Sequence, residues 1–184
     1  MFRALCKLIL YIMGWKPAGV FPYHLKKYVI LIAPHTSGWD FIIGVLFRKA
    51  LRLEKAKYLG KMELFKPPFG FLFRWLGGYP VDRSHNKNVV EEVVKIFDSH
   101  DEFGIALSPE GTRKRVDKLR TGFYNIAKKA NVPIVMVGLD YENKKLLFSE
   151  PFNTTENQQA DFEHILKFFR PIKGKYPEKG LSHF

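Results

Sequence analysis

The stretch YVILIAPHTSGWDFIIGVLFRKA, residues 28–50, decides how the chain is read. Tyr28 to Ala33 is a continuous apolar run rich in β-formers, the composition of a strand buried on both faces. Pro34 to Gly38 forms a loop, and Trp39 to about Ala50 reads as a helix. His35 therefore stands just beyond the carboxyl end of a buried strand, where open α/β sheets place their ligand crevices. Asp40, one turn into the helix, can reach one imidazole nitrogen, fixing the tautomer and leaving the other nitrogen to accept a proton.

The same alternation continues outward. A short apolar run ends at Leu59 before a turn at Gly60–Lys61, and Phe65 to Leu76 is aromatic and interrupted by Pro67 and Pro68. Core packing or an apolar groove accounts for those aromatics. Gly77–Gly78 precedes an extended stretch, Tyr79 to Val81. Ser84 or Asn86 can cap a helix whose Val89, Val90, Val93, Val94 and Phe97 form one apolar stripe. Phe103 to Leu107 returns to strand, Ser108 to Asp117 is a polar loop, and Thr121 to Ala130 is helical. Strands follow at Ile134 to Val137 and near Leu146 to Phe148. Thr155 and Gln158 form a capping box for a last helix that ends before Pro171. The basic, Gly- and Pro-rich tail after Pro171 reads as mobile. The expectation is a single α/β domain, its sheet mostly parallel or mixed and covered by helices.

A length of 184 residues suits one domain with a substantial core. Thirty Lys and Arg against 18 Asp and Glu give a formal charge of +12, which points to an anionic partner: nucleic acid, membrane or a phosphorylated small molecule. Cys6 is the only cysteine, so no intrachain disulfide or cysteine-based zinc site exists, and a reducing compartment is the simpler reading. No uncharged apolar stretch is long enough to span a bilayer. The N-terminus carries a different signal. Phe2, Leu5, Ile9 and Ile12 fall at helical spacing, Leu8, Leu10, Tyr11 and Met13 widen that face, and Arg3 and Lys7 lie four apart. Such a helix either lies in a membrane interface or packs on the domain.

Two further constellations carry cations. Ser108–Pro109–Glu110–Gly111–Thr112–Arg113 follows a strand and opens on the same edge as His35 if the strands are parallel. Its arginine supplies positive charge, and its glycine lets backbone approach a ligand. Gly77 to Arg83 places an arginine after a short extended segment, where a bidentate contact to phosphate is possible. His24, His85, His100, His164 and His183 lack metal-ligand spacing and read as surface or structural residues.

In this order, the blocks resemble the lysophosphatidic acid/glycerolphosphate acyltransferase superfamily. His35 to Asp40 matches its His-x4-Asp block, and Ser108 to Arg113 its Pro-Glu-Gly-Thr-Arg block. Gly77 to Arg83 resembles the block that ends in arginine, and Val132–Pro133–Ile134–Val135 the valine-proline strand. Lys61–Met62–Glu63–Leu64, followed by Pro68 and Gly70, is similar to the spacer. The chain departs from the pattern at Met136, where many members have a second proline, and at Arg120–Thr121–Gly122, where Lys-x-Gly is common.

The resemblance implies a glycerolphosphate-acyltransferase-like fold and acyl transfer from acyl-ACP or acyl-CoA to a lipid hydroxyl, most simply that of 1-acyl-glycerol-3-phosphate. In the roles it implies, His35 is the general base and Asp40 its orienter. Arg83 and Arg113 hold an anionic headgroup, with Glu110, Gly111 and Thr112 in the acceptor site and Lys61 near the oxyanion or headgroup. It implies no metal and no cofactor beyond the acyl co-substrate. Residues 1–20 would form an amphipathic membrane-associating helix and residues 21–184 the acyltransferase domain, peripheral on the cytoplasmic face of an anionic membrane. The rival readings are another lyso-lipid acceptor such as an amino-acid lipid, thioester hydrolysis, or a non-catalytic binder of anionic lipid or nucleic acid. Nucleic acid is disfavoured, since no RNA-recognition motif, zinc finger or basic coiled coil is present.

Overall fold

The computed structural model describes residues 2–81 and 89–184. Its central strand is β2 (Lys27–Ala33), flanked by β5 (Phe103–Leu107) and β6 (Ile134–Asp140), with β3 (Ala56–Lys61) and β4 (Gly78–Val81) beyond β5. These five strands run parallel. β7 (Lys145–Phe148) returns antiparallel against β6, and β1 (Lys16–Ala18) pairs parallel to β7 at the edge. Among the described residues the sheet is thus mixed, with seven strands in the order β1-β7-β6-β2-β5-β3-β4.

The unbroken apolar run of β2 follows from burial on both sides. Val29, Leu31 and Ala33 point into one core layer, under α4 (Val89–Asp98), α5 (Gly122–Ala130) and α6 (Gln158–Phe169), where Phe97, Phe123 and Phe169 are buried. Tyr28 and Ile30 point into the other, with Ile43 and Phe47 of α2 (Trp39–Ala50) and Cys6 and Leu10 of α1 (Phe2–Ile12). A strand's side chains alternate sides with period two, so a strand covered twice needs apolar residues at every position.

The N-terminal helix both packs on the domain and keeps an apolar outer face. Cys6 and Leu10 are buried, and Arg3 Nε donates to the Ala50 carbonyl at 3.1 Å. Leu5, Leu8, Tyr11 and Ile12 remain exposed. Among the described residues, no helix is long and apolar enough to cross a membrane.

Several local expectations are corrected. Gly60 and Lys61 do not turn; they continue β3, in register with Pro80 and Val81 of β4. β1 was not foreseen, because three residues containing Pro17 carry no strand pattern and depend on β7 for their pairing. The cap of α6 is Asn157, which accepts from the Ala160 N–H at 3.1 Å, while the Thr155 hydroxyl bonds to Asp161 instead. Phe65 is buried, but Phe69, Phe71 and Trp75, in and beside α3 (Gly70–Trp75), are exposed rather than in a core or groove. The proposed caps Ser84 and Asn86, and His85, lie outside the described residues.

The tail is folded back on the domain rather than free. Ile172 and Leu181 are buried, the Tyr141 N–H donates to the Lys173 carbonyl at 2.9 Å, and the Tyr176 N–H donates to Thr36 Oγ1 at 3.2 Å. Leu181 belongs to the same core layer as Val29 and Phe169. We expect Leu181→Ala to cost about 2–5 kcal/mol in urea unfolding, the range for truncating a buried leucine. An unpacked tail would leave the midpoint unchanged.

Candidate active site

Strand register assembles the site. Leu31 of β2 lies opposite Leu107 of β5, so Pro34–Gly38 and Ser108–Arg113 leave the sheet side by side. On the other flank Ala33 lies opposite Gly138 of β6, and Tyr141 follows three residues later.

Asp40 is the centre of the arrangement. It is 4% exposed. Its Oδ2 accepts the N–H groups of Thr36 and Ser37, each at 2.8 Å, and lies 3.1 Å from His35 Nδ1. Its Oδ1 accepts the Tyr141 hydroxyl at 2.6 Å. Burial works against the charged carboxylate, but the bonds from His35, Tyr141 and the Ser37 N–H more than offset it and hold the carboxyl below the ordinary carboxylate range. The Tyr141 phenol is raised in turn, through burial first, then its hydrogen bond to Asp40 and last the Asp40 charge, so the tyrosine remains a donor. With Nδ1 facing a carboxylate, the imidazole keeps its proton there, and Nε2 is the nitrogen left to accept another.

Glu110 performs a second positioning task. It is 1% exposed, and its Oε1 accepts the His35 backbone N–H at 2.7 Å while its Oε2 accepts the Ser108 hydroxyl at 2.7 Å. Burial raises its pKa, and these bonds only partly offset that. The carboxylate therefore clamps the β5 loop to the histidine loop. Gly111 adopts a φ of +65°, as the turn after Glu110 requires, and a Cβ there would lie 3.1 Å from Arg120 Cγ. Thr112 Oγ1 accepts the Lys114 N–H at 3.3 Å. Arg113 is exposed and rests against the entry to α2: a Cβ on Gly38 would lie 3.1 Å from its Nη1. On the far side of that turn, Lys175 Nζ sits 4.8 Å from the centroid of the exposed Trp39 ring.

The structure thus brings His35, Asp40, Glu110 and Arg113 to one edge of the sheet. Lys61 ends β3 on the same parallel set, its side chain outside what is described, and Arg83 lies outside the described residues. Sequence reasoning missed Tyr141. Reading the strand as Ile134 to Val137 left the tyrosine in an unassigned connection, whereas β6 runs on to Asp140 and delivers it to Asp40. The Tyr141 ring is held edge-on by the buried Trp15, with centroids 5.0 Å apart.

His35, Asp40 and Ser108 stand at one end of a cavity of about 300 Å³ between α2 and the sheet. From there the lining is mostly apolar, including Ile32, Ala106, Val137, Leu53 and Phe148, with Arg48, Lys57 and Tyr58 as the polar exceptions. Phe41, Gly44, Val45 and Arg48 present one face of α2 to it, and a Cβ on Gly44 would meet nothing within 4 Å. A polar, proton-accepting end joined to an apolar pocket suits a ligand with a long hydrocarbon part.

Tyr141→Phe keeps the ring against Trp15 and removes one donor from Asp40, so the carboxyl should titrate at higher pH, read by carboxyl NMR. A depressed carboxylate stabilises the fold above its unfolded pKa, and that stabilisation is lost as pH falls through the folded value. The stability advantage of the native protein over Tyr141→Phe should therefore be full at neutral pH and shrink across the acid range below the ordinary carboxylate pKa. Glu110, whose raised pKa acts with the opposite sign, is common to both proteins.

Comparison with known proteins fits this geometry. The model of the Acyltransferase family matches residues 19–140. No curated protein sequence matches the chain. Among solved structures, the 1-acyl-sn-glycerophosphate (LPA) acyltransferase PlsC from Thermotoga maritima superposes with a TM-score of 0.62 at 16% identity, covering 91% of this chain and 74% of that one. That likeness establishes a shared fold. With the family match spanning most of its length and covering both the His35–Asp40 and the Ser108–Arg113 blocks, the chain belongs to the Acyltransferase family.

Proposed function

We propose that this protein moves an acyl chain from a thioester, on acyl carrier protein or coenzyme A, to the free hydroxyl of a lysophospholipid. The simplest acceptor is 1-acyl-glycerol-3-phosphate, giving phosphatidic acid. The observation that carries the reading is the His35–Asp40 pair, its carboxylate held charged, at the polar end of an apolar cavity. The name of the Thermotoga maritima neighbour supports the choice of acceptor.

In this reading His35 Nε2 takes the proton of the acceptor hydroxyl as its oxygen attacks the thioester carbonyl. Asp40 steadies the imidazolium that forms. The tetrahedral intermediate collapses by breaking the carbon–sulfur bond, and the departing thiolate recovers the proton from His35. The products are an ester and a free thiol. A thioester is already activated, so activating the alcohol and stabilising developing negative charge supplies the catalysis, with no metal or cofactor called for. Arg113, and with it Arg83 and Lys61, would hold the acceptor's phosphate beside the imidazole; Gly111 and Thr112 shape the loop that carries Arg113. Glu110 serves that site indirectly, by fixing the loops. The apolar cavity would hold the acyl chain. Residues 1–20 would attach the acyltransferase domain, residues 21–184, to the cytoplasmic face of an anionic membrane, where a short amphipathic helix needs the electrostatic help that +12 provides.

The test is purified protein offered labelled acyl thioesters and a panel of lyso-lipids, with products resolved by mass. Esterified lipid is expected; free fatty acid alone would mean hydrolysis. His35→Ala should lower kcat by about a hundredfold or more without loss of folding, the usual range for removing a general base. Arg113→Ala should instead raise the acceptor KM with little change in kcat. Gly44→Leu, which projects a side chain into the cavity, should shift donor preference toward shorter acyl chains; an unchanged chain-length profile would remove the cavity from the acyl site.

A further inference from the structure

The segment from Met62 to Trp75 leaves large apolar side chains in solvent. Phe71 is 73% exposed, Phe69 65% and Trp75 58%, with Met62, Leu64 and Leu72 also exposed. The segment is well anchored from behind. Phe65 is buried, Arg74 Nη1 donates to the Phe65 carbonyl at 3.1 Å, and a Cβ on Gly70 would fall 2.0 Å from that same carbonyl oxygen. The exposed rings are therefore held outward by a fixed backbone. The segment's charge is positive on balance, since exposed Lys66 and Arg74 outnumber Glu63. The patch also joins the outer face of α1, because the Phe2 and Trp75 rings lie 4.9 Å apart. α1 adds Leu5, Leu8, Tyr11 and Ile12 to the apolar surface, and it adds Arg3 and Lys7 with no acid.

We infer that Met62–Trp75 is a second membrane-docking element, which enters the interface of an anionic bilayer alongside α1. Aromatic side chains with cations beside them are the composition that membrane interfaces favour. A second copy of this chain is the poorer occupant: a two-fold pairing through the same patch would set Lys66, Arg74 and their copies against each other. A single short amphipathic helix gives weak, reversible attachment, whereas two linked contacts reinforce one another. Two contacts also fix the tilt of the molecule. Leu76, the residue after Trp75, lines the acyl cavity, so a bilayer gripping this segment borders the pocket that the apolar chain must fill. The inference rests on the surface-bound acyl transfer proposed above.

The experiment compares the 184-residue chain with Phe69→Ser/Phe71→Ser and, separately, Leu5→Ser/Leu8→Ser. Each is sedimented with phosphatidylcholine vesicles, with and without phosphatidylglycerol, and assayed on a short-chain acceptor below its micellar concentration. Each pair should weaken binding to the anionic vesicles on the order of tenfold, consistent with withdrawing two apolar side chains from the interface. Turnover on the dispersed acceptor should not change. Lipids brominated along their chains should quench an emission component that is missing from Trp75→Phe. Unaltered vesicle binding by Phe69→Ser/Phe71→Ser, beside a loss for the α1 pair, overturns the inference. So does a concentration-dependent dimer that this variant abolishes without affecting vesicle binding. If the native protein transfers no acyl group yet the Phe69→Ser/Phe71→Ser protein still loses vesicle binding, the enzymatic proposal fails and the docking element stands.

Discussion

A buried carboxylate that stays charged is the constraint around which the rest of this structure is arranged. Left alone at 4% exposure, Asp40 would protonate, because an uncompensated charge in a low-dielectric interior is expensive. Two backbone N–H groups, one phenol and one imidazole prevent that, and each comes from a segment with its own reason to be there. The Thr36 and Ser37 N–H groups are presented by the loop that turns β2 into α2. The phenol comes from the end of β6, and the loop's conformation is fixed from a third side by Glu110. Removing any one supplier leaves the others bonded but tips the balance toward the neutral acid.

The sheet topology makes this convergence possible. β2 lies between β5 and β6 with parallel register on both flanks, so three strand ends open at one edge within reach of one another. The antiparallel return of β7 then carries the chain away from that edge, leaving room for the tail to cross it. Tyr176 and Lys175, from that tail, touch Thr36 and Trp39. Two carboxylates thus share one small region with opposite leanings. Asp40 is held charged, and Glu110 is pushed toward its neutral form, because Asp40 collects more donors than Glu110 does.

Much of this was legible in the sequence where the signal was local. Tyr28 to Ala33, Trp39 to Ala50 and Phe103 to Leu107 announce themselves by composition and period, and the observed elements agree with those readings. The pairing of His35 with Asp40 was readable because a strand end, a short loop and the first turn of a helix set their separation. Tyr141 was not, because its role depends on contact with a residue a hundred positions earlier, and no periodicity records such a contact. The aromatics of Phe65 to Trp75 misled for a related reason. Aromatic content signals burial on average, and only the folded backbone tells which rings face out. The tail misled through its composition: Gly, Pro and Lys resemble a linker, yet Leu181 inserts fully into the core.

The position of β2 has a further consequence for how the chain is made. Both strands that pair with it, Phe103–Leu107 and Ile134–Asp140, are translated long afterwards. At elongation rates of about 5–20 residues per second, the roughly 100 residues between β2 and β6 keep the ribosome busy for roughly 5–20 s. Until β5 follows, after roughly 70 residues, this apolar strand hangs from the nascent chain with both edges open, and its β6 edge stays open for the rest of that interval. The growing polypeptide, rather than the finished enzyme, is then the form most in need of a chaperone.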